Sequence, residues 1–587
     1  MKKDEKLNGL RHSLAHLLAA AVGEIYKFDK IKLTLGPAID NGFYYDIDFC
    51  GEKVADSDLK KIEDVMRKKL PKWTEWEHKE MSKDEALKFF KNEYKTELIN
   101  EIADRGEKIT AYTCGGFTDL CRGGHLEHPA KEIDPLAFKL DRVAGAYWRG
   151  DEKNKMLTRI YGLAFENKEE LHAYILQQEE ARKRDHRKLG KELDLFIFSE
   201  LIGPGLPVYT PKGAAVRREI VNFSNELQKG IGYQEVHTPN MNRAELFKVS
   251  GHYEKFKEDM FRVVSNYSKE EYFLKPMNCP HHTQIYASKT RSYRDLPVRI
   301  ADFANLYRDE KPGELNGLTR LRAFAQDDGH CFCREDQIKD EFLSVLGIIK
   351  KAMEIYKMKY NIRLSLWDPK HPEKYLGEPK IWEKSQKLLE EILVENKIDY
   401  IKAEGEAAMY GPKMDLISKD SLGREWQIST IQLDFIMPER FGLKYTDSNG
   451  KEVTPVMIHR AIVGSPERFL GILIEHYAGA FPLWLAPVQV KVIPVRTNHN
   501  EYAKEIYNLL KENNIRVELD EIEANLGGKV REAKNNKIPY WIVIGDKEIE
   551  VDKVTLESRD AGQLGQIGKE ELVKKLLEEI SAKGRSA

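Results

Sequence analysis

The spacing of hydrophobic and polar positions changes along the chain and divides it into successive predicted segments. Residues 1–165 mix short helical and strand-like patterns around glycine-containing turns such as "GPAIDNGFYYD". In residues 196–484, strand-like runs alternate with helices. Residues 485–587 predict a small α/β domain, because the continuous apolar run "YWIVI" is typical of a strand covered on both faces.

Residues 166–195 are dense in charge and predict a long, solvent-exposed helix that links two domains. Its apolar positions are Leu171, Tyr174, Ile175 and Leu189. Basic clusters at 179–192 and 527–537 indicate either solvated helix faces or nucleic-acid contacts.

Residues 299–333, "RIADFANLYRDEKPGELNGLTRLRAFAQDDGHCFC", predict an antiparallel hairpin of two strands joined by a loop rich in Gly, Pro and Asn. Because strand side chains repeat every second residue, Arg308 and Glu310 share one face of the outgoing strand. On the return strand, Arg320 and Arg322 come first. This pattern indicates a binding site rather than a core, with a solvated edge hairpin as the alternative. The face of the return strand carries Phe324, Gln326, Asp328 and His330.

These residue types suit a nucleotide and a ligand amine. An arginine pair neutralises a polyphosphate, an aromatic ring stacks on a base, and a carboxylate binds an amine. The sequence has no Walker-type glycine loop, so any nucleotide is bound by another architecture. In "GSPERFLGILIEHY", Ser465 and Pro466 predict a helix N-cap and the first helical position. Arg468 follows on an otherwise apolar helix, which indicates an anionic partner such as phosphate.

Two clusters contain the residue types that bind metals. "FLKPMNCPHHTQIY" (273–286) has one cysteine and two histidines within four positions, too few to close a tetrahedral shell. Pairing with Cys331 and Cys333 as a zinc ribbon is an alternative, although no C-x₂-C pair is present. Near the N-terminus, two pairs with a spacing of four indicate a metal site, with a histidine of the hydrophobic core as the alternative for His12. These pairs are His12 with His16 and Cys121 with His125.

Composition excludes several classes of protein. The 587 residues are 41% hydrophobic and 32% charged with a net charge of −2, which is typical of a globular protein. We expect no membrane span, because the sequence has no sufficiently long apolar run. The N-terminus makes a poor secretory signal, and six scattered cysteines fit a reducing compartment. These features predict a cytoplasmic location.

The motifs together resemble the threonyl-tRNA synthetase family of class II aminoacyl-tRNA synthetases. "GYQEVHTPNM" with Pro239 resembles the first class II motif, "YRDE…LTRLRAF" the second and "GSPERFLGILIEHY" the third. "MNCP", "FAQDDGH", "YGPK", "QLDF" and "VMIHRAI" follow in the same order as in the family.

The resemblance implies an α/β multidomain protein whose class II catalytic domain (196–484) has an antiparallel sheet flanked by helices. An N-terminal α+β editing domain (1–165), the linker helix (166–195) and a C-terminal α/β anticodon-binding domain (485–587) complete it. The ubiquitin-like domain that begins many bacterial members is expected to be absent. A homodimer is expected to form through the first motif, around Pro239.

The resemblance also assigns residues. One zinc per subunit is expected on Cys279, His330 and His459, with His281 and His282 as mere neighbours. The residues expected to bind ATP with Mg²⁺ are Arg308, Glu310, Arg320, Phe324, Gln427, Thr430 and Arg468. Those expected around the amino acid and the tRNA end, and at the reaction, are Gln326, Asp328, Tyr410, Lys413 and Gln432, with Arg308 and Arg468.

The implied reaction is the activation of threonine with ATP and transfer to tRNA(Thr). A zinc that binds the substrate hydroxyl would reject valine, whereas serine differs by one methyl and requires a second, hydrolytic site. The residues expected at that editing site are His12, His16, Lys95, Asp119, Cys121 and His125. In the C-terminal domain, "IPYWIVIGDKE" with Glu548 matches the anticodon-binding module of the family well, whereas the basic positions Lys529, Arg531, Lys537 and Arg559 match it loosely.

Three other functions stay open at the level of sequence. A prolyl or seryl synthetase would share the class II motifs, although the zinc residues and "QDDGH" argue against it. A non-catalytic RNA-binding relative would be expected to lack the arginines Arg308 and Arg468. A zinc hydrolase built on His12 and His16 would need an H-E-x-x-H glutamate, but Leu14 and Ala15 lie between them.

Overall fold

The computed structural model describes residues 3–420 and 423–584. The chain divides into two compact units, Met1–Glu179 and Glu180–Ala587. Within the described ranges, no helix combines the length and the apolar character that a membrane crossing requires.

The first unit is α+β, as predicted. The pairings within β1-β3-β8-β7, with β2 paired to β3, are all antiparallel, and β4-β5-β6 form a second antiparallel sheet. Helix α1 buries Leu14 and Leu18 in a core shared with Phe43, Ile47 and Phe138. The helices are α1 (Lys3–Tyr26), α2 (Leu59–Lys69), α3 (Lys83–Phe89), α4 (Glu93–Asp104) and α5 (Pro129–Glu132). The strands are β1 (Lys32–Leu33), β2 (Ala38–Ile39), β3 (Gly42–Asp48), β4 (Glu77–Met81), β5 (Ile109–Cys114), β6 (Phe117–Leu120), β7 (Phe138–Tyr147) and β8 (Met156–Ala164).

The predicted single linker helix is wrong in one respect, because the structure has two helices there. These are α6 (Lys168–Arg184) and α7 (His186–Glu192). Asp185 leaves the helical conformation, and its side chain accepts a hydrogen bond from the backbone N–H of Arg187, so it caps α7. Leu171 and Leu189 are buried rather than solvent-exposed.

The second unit contains a large mixed sheet and a smaller C-terminal sheet. Its helices are α7, α8 (Pro211–Gly230), α9 (Ala244–Ser250), α10 (His252–Phe256), α11 (Cys279–Ala287), α12 (Ile338–Ile355), α13 (Pro379–Glu395), α14 (Ile436–Arg440), α15 (Pro466–His476), α16 (Asn500–Glu512), α17 (Leu526–Asn535), α18 (Asp546–Glu550) and α19 (Lys569–Ala582). Its first strands are β9 (Phe196–Ile197), β10 (Val208–Tyr209), β11 (Gln234–Glu235), β12 (Met241–Arg243), β13 (Arg262–Val263), β14 (Tyr272–Leu274), β15 (Val298–Tyr307), β16 (Ala323–Cys333), β17 (Tyr360–Leu366) and β18 (Ile401–Glu404). The others are β19 (Lys413–Lys419), β20 (Glu425–Asp434), β21 (Tyr445–Thr446), β22 (Glu452–Val453), β23 (Val456–Ala461), β24 (Val490–Pro494), β25 (Val517–Leu519), β26 (Tyr540–Ile544), β27 (Lys553–Ser558) and β28 (Gly562–Gly568).

The large sheet has the order β11-β15-β16-β23-β20-β19-β17-β18. Its middle is antiparallel, and the parallel pairs β11/β15 and β17/β18 lie at its two ends. The predicted hairpin is confirmed, with Leu306 of β15 opposite Phe324 of β16. The placement of Arg308 and Glu310 on the outgoing strand is wrong, because β15 ends at Tyr307. The placement of Arg320 and Arg322 on the return strand is wrong as well, because β16 begins at Ala323, so all four residues lie in the loop.

A buried ion pair joins the elements around this hairpin. Asp327 and Arg460 are each 1% exposed, and their carboxylate and guanidinium lie 2.5 Å apart. Asp327 also accepts hydrogen bonds from the Ser224 hydroxyl of α8 and from the backbone N–H groups of Ile462 and Val463. Gly329 leaves the space for the guanidinium, since a Cβ there would lie 2.3 Å from Arg460 Cζ.

The C-terminal sheet, in the order β25-β24-β26-β27-β28, confirms the small α/β domain. In β26, Ile542 is buried in one hydrophobic cluster and Trp541 in another, so the strand is covered on both faces. Two loosely matched cations serve the fold: Lys529 donates to two backbone carbonyls, and Arg559 to the carbonyls of Phe481 and Lys537. Glu548, at the start of α18, accepts hydrogen bonds from the backbone N–H of Gly545 and from the Thr555 hydroxyl.

Candidate active site and editing pocket

A cavity of about 280 Å³ lies in the second unit over the antiparallel part of the large sheet. Lys413 does not line the cavity. Its Nζ lies 2.8 Å from an Asp415 oxygen and 3.3 Å from Oε1 of Gln427, which does line it. Glu310 and Arg320 also lie outside the lining and pair with each other at 2.8 Å. The predicted residues that do line it are Cys279, Arg308, Phe324, Gln326, Asp328, His330, Tyr410, Gln427, Thr430, Gln432, His459 and Arg468.

One part of this cavity is strongly cationic. The Arg308 guanidinium lies 5.2 Å from the centre of the Phe324 ring. Burial lowers the pKa of Arg308, and burial followed by the charge of Arg308 lowers the pKa of Arg468. Two arginines held together against their mutual repulsion favour an anionic ligand. The predicted N-cap is confirmed, since Ser465 accepts a hydrogen bond from the Arg468 N–H.

Another part brings together Cys279, His330 and His459, whose ligand atoms all lie within 4.8 Å of one another. The first turn of α11 supplies the cysteine, and His330 and His459 are cross-strand partners on β16 and β23. Burial raises the pKa of the Cys279 thiol and lowers the pKa of His330. One sulfur and two imidazole nitrogens are a donor set that fits zinc with a position left open.

A second layer of side chains holds these imidazoles, and the sequence did not predict it. His282, expected to be a mere neighbour, shares a 2.7 Å hydrogen bond between its Nδ1 and His330 Nδ1, and Asn278 fixes its other nitrogen at 3.0 Å. Asp434 accepts from His459 Nε2 at 2.8 Å. His281 has no such role, because neither ring nitrogen has a hydrogen-bond partner. Only the tertiary fold brings these groups together.

Polar groups from β16, from β20 and from the loop before β19 line the rest of the cavity. The Tyr410 hydroxyl donates to Gln432 Oε1 at 2.7 Å, and its ring stacks on His459 with centroids 4.5 Å apart. Thr430 donates to Asp415 at 2.8 Å. Burial raises the pKa of Asp328 to about 7. This wall offers hydrogen-bonding groups to a small polar ligand.

The first unit has its own polar pocket, a cavity of about 330 Å³. His125 does not line the pocket but contacts Cys121. The predicted residues that line it are His12, His16, Lys95, Asp119 and Cys121. Cys121 Sγ lies 3.4 Å from His12 Nε2 and 3.3 Å from His125 Nε2. The Nε2 atoms of His12 and His16 are 3.2 Å apart. These four residues could also hold a metal ion.

Asp119 anchors this pocket. It accepts from His16 Nδ1 at 3.1 Å, from Lys95 Nζ at 2.5 Å and from the Tyr45 hydroxyl at 2.6 Å. Trp76 stacks on His125 with centroids 3.9 Å apart. Tyr45 and Trp76 were not predicted from the sequence, because neither belongs to a recognisable motif.

The electrostatics of the pocket favour separated charges. Burial opposes charge on His16, but hydrogen bonds with Asp119 and Cys121 outweigh it and raise the pKa of His16 to about 9. Burial also opposes the thiolate of Cys121, yet hydrogen bonds with His12 and His125 lower its pKa to about 3. At neutral pH the pocket therefore holds a thiolate beside an imidazolium.

Family models match three parts of the chain. Residues 261–477 match the "tRNA synthetase class II core domain (G, H, P, S and T)" and 489–579 match the "Anticodon binding domain". Residues 109–161 match the "Threonyl and Alanyl tRNA synthetase second additional domain". With the antiparallel sheet and its cationic cavity, these matches define a class II aminoacyl-tRNA synthetase.

Similar proteins show which family within this class the chain belongs to. A threonine–tRNA ligase of Deinococcus radiodurans is 49% identical over 94% of this chain and 85% of its own. One of Thermus thermophilus is 47% identical over 96% and 87%. The chain therefore belongs to the threonine–tRNA ligase family. A solved RNA binding domain of threonyl-tRNA synthetase from Cryptosporidium parvum has 37% identity and a TM-score of 0.64, covering 67% of this chain and 98% of its own.

The lowered pKa of Cys121 can be tested by alkylation. An ordinary thiol with a pKa near 8.5 reacts roughly two orders of magnitude faster at pH 8 than at pH 6. Cys121 is expected to react at nearly equal rates at both pH values, because its thiolate already dominates. Peptide mass spectrometry after timed iodoacetamide treatment measures this, and Cys121→Ser identifies the labelled peptide. His12→Ala should restore a steep rise with pH, whereas a steep rise in the unmodified protein would contradict the proposed electrostatics.

Proposed function

We propose that this protein activates threonine with ATP and transfers it to tRNA(Thr). The observation that carries the proposal is one cavity that combines a half-buried arginine pair with a Cys-His-His donor set. The arginines suit a polyphosphate, and the donor set suits a ligand with an amine and a hydroxyl. The membership of the threonine–tRNA ligase family supports this pairing.

In this proposal, ATP with Mg²⁺ binds at the cationic part of the cavity. Arg308 and Arg468 stabilise the charge that develops on the α-phosphate when the threonine carboxylate attacks it. Phe324 stacks on the base. The other residues assigned to the nucleotide are Glu310, Arg320, Gln427 and Thr430.

Cys279, His330 and His459 would hold one zinc ion per chain. When bound, the ion supplies Lewis-acid coordination for the amine and hydroxyl of threonine, which valine cannot satisfy. Asp328 binds the ligand amine, and Tyr410 and Gln432 close the pocket around the amino acid. Gln326 and Lys413 are assigned to the reacting end of the substrates.

The pocket of the first unit is assigned to editing of Ser-tRNA(Thr). The match of residues 109–161 to a domain shared by threonyl and alanyl synthetases supports this. His12, His16, Cys121 and His125 orient water and the 3′ end, and Asp119 with Lys95 fixes His16. The thiolate–imidazolium arrangement satisfies these groups without a metal.

The remaining assignments follow the same family. Residues 1–165 are the editing domain, 196–484 the catalytic domain and 485–587 the anticodon-binding domain, joined by 166–195. A homodimer forms through the segment around Pro239, which is exposed in this chain. Because tRNA is charged where translation occurs, we infer a cytoplasmic location.

ATP–pyrophosphate exchange with a panel of amino acids tests the activity. Threonine should support exchange, serine should do so about 10–200-fold less well, and valine should be rejected by about 10⁴-fold or more. Arg468→Ala should lower exchange by about 10²–10³-fold, because a phosphate contact is lost. Arg294→Ala removes an exposed arginine and is the matched control. Near-normal exchange in Arg468→Ala, or a preference for another amino acid, would refute the assignment.

Metal analysis tests the donor set. The full chain should contain one zinc, and Cys279→Ala should lose nearly all of it, because two imidazoles alone bind weakly. His281→Ala is the control, since its ring makes no hydrogen bond. Loss of metal in His281→Ala would contradict the assignment, and two zinc ions per chain would place a second ion at His12, His16, Cys121 and His125.

Deacylation of preformed Ser-tRNA and Thr-tRNA tests editing. The unmodified protein should hydrolyse the serine ester far faster, because the extra methyl of threonine is excluded. Cys121→Ala with His125→Ala should abolish serine hydrolysis and leave threonine activation unchanged. Cys50→Ala with His78→Ala, two exposed residues of the same unit, is the matched double control. Hydrolysis at the original rate in the first double variant would show that this unit does not edit.

A further inference from the structure

His186 is a buried histidine that lies outside the lining of the catalytic cavity. The proposed reaction does not use this residue. It begins α7, in the segment that follows the break at Asp185, and it is 2% exposed. Its Nδ1 lies 2.8 Å from Glu475 Oε1, and its Nε2 lies 3.0 Å from the backbone nitrogen of Leu318. The imidazole thus bridges α15 and the loop between β15 and β16.

The contacts fix the tautomer of this ring. A backbone N–H can only donate, so Nε2 of His186 accepts from Leu318 and carries no proton. The proton of the neutral ring is then on Nδ1 and is donated to Glu475. Arg424 donates to the other Glu475 oxygen at 3.2 Å, which holds the carboxylate in place. Asp185, His186 and Glu475 could be taken for a metal site, but both ring nitrogens already have partners.

From Leu318 the connection continues to the nucleotide residues. Leu318 and Thr319 are buried, and the Thr319 carbonyl accepts a hydrogen bond from Arg468 Nε at 3.2 Å. Arg320 follows directly in the chain and pairs with Glu310. The position of the 318–320 segment therefore orients the side chain of Arg468 and the start of Arg320.

The loop packs closely on the ring. Gly317 has a positive φ of 48°, and a Cβ at this position would lie 2.1 Å from His186 Nε2. Only a glycine lets the backbone reach the imidazole. The loop is therefore held by a hydrogen bond and by close contact on the same side.

We propose that His186 is a positioning residue of the nucleotide site, acting through Leu318 and Thr319 on Arg468 and Arg320. This inference rests on the proposed function, since it assumes that these arginines bind ATP. The ring does not touch the cavity, so its effect is on the geometry of the phosphate contacts. Binding of the amino acid, at the opposite part of the cavity, does not depend on it.

Two substitutions separate the two hydrogen bonds of the ring. His186→Gln can place its side-chain oxygen near the position of Nε2 and keep an acceptor for Leu318. His186→Asn can keep a donor near the position of Nδ1 for Glu475, but it is too short to reach Leu318. A purely structural role would predict similar losses in both variants.

The kinetics of ATP–pyrophosphate exchange and the direct binding of ATP by calorimetry provide the test. In His186→Asn the KM and Kd for ATP should rise about tenfold, with the KM for threonine within twofold of its original value. In His186→Gln the KM for ATP should stay within about threefold of the original. Gly317→Ala, which pushes the ring away, should reproduce the effect of His186→Asn.

Equal effects of the Asn and Gln variants, or a parallel rise of the KM for threonine, would overturn the inference. Unchanged ATP binding in both single variants, His186→Asn and Gly317→Ala, would also overturn it. If His186→Asn does not fold, the ATP binding of Gly317→Ala decides. If the unmodified protein binds ATP but shows no threonine-dependent exchange, the ligase proposal fails. In that case the Kd values for ATP of the His186 variants still test whether His186 positions the nucleotide site.

Discussion

The catalytic unit depends on one buried ion pair, that of Asp327 with Arg460. Both charges are removed from water, so each requires the other, and loss of one partner would leave a buried charge at a cost of about 3–5 kcal/mol. Asp327 also binds the backbone of Ile462 and Val463, which leads into Ser465 and the helix that carries Arg468. The pair therefore sets the distance between the hairpin face and the arginine of α15.

The register between β16 and β23 places the two histidines of the candidate metal site side by side. Because His330 and His459 are cross-strand partners, their rings meet without any local sequence motif. Burial at this site favours the neutral forms of Cys279 and His330, as the directions of their pKa shifts indicate. The pocket of the first unit is opposite in character, because its thiolate and imidazolium stabilise each other. One chain thus contains a buried Cys-His-His donor set and a charged pocket, which suit different chemistry.

Much of the fold could be predicted from periodicity and turn residues. The hairpin, the N-cap at Ser465 and the doubly covered strand "YWIVI" are each encoded within a few neighbouring residues. Two predictions failed at boundaries: the linker helix breaks at Asp185, and the hairpin strands end before Arg308 and begin after Arg322. Both failures have the same reason. A capping side chain and the last hydrogen bond of a strand are decided by local geometry that residue patterns do not resolve.

The sequence by itself determined the order of the motifs, and through their resemblance the family and the candidate residues. Only the tertiary structure decided which of those residues meet, and which partners hold them. His282 and Asp434 orient the metal-site imidazoles, Tyr45 and Trp76 complete the pocket of the first unit, and His186 supports a loop more than 130 positions away. Such partners are set by register and packing between distant segments. Spacing along the chain carries no information about contacts of that kind.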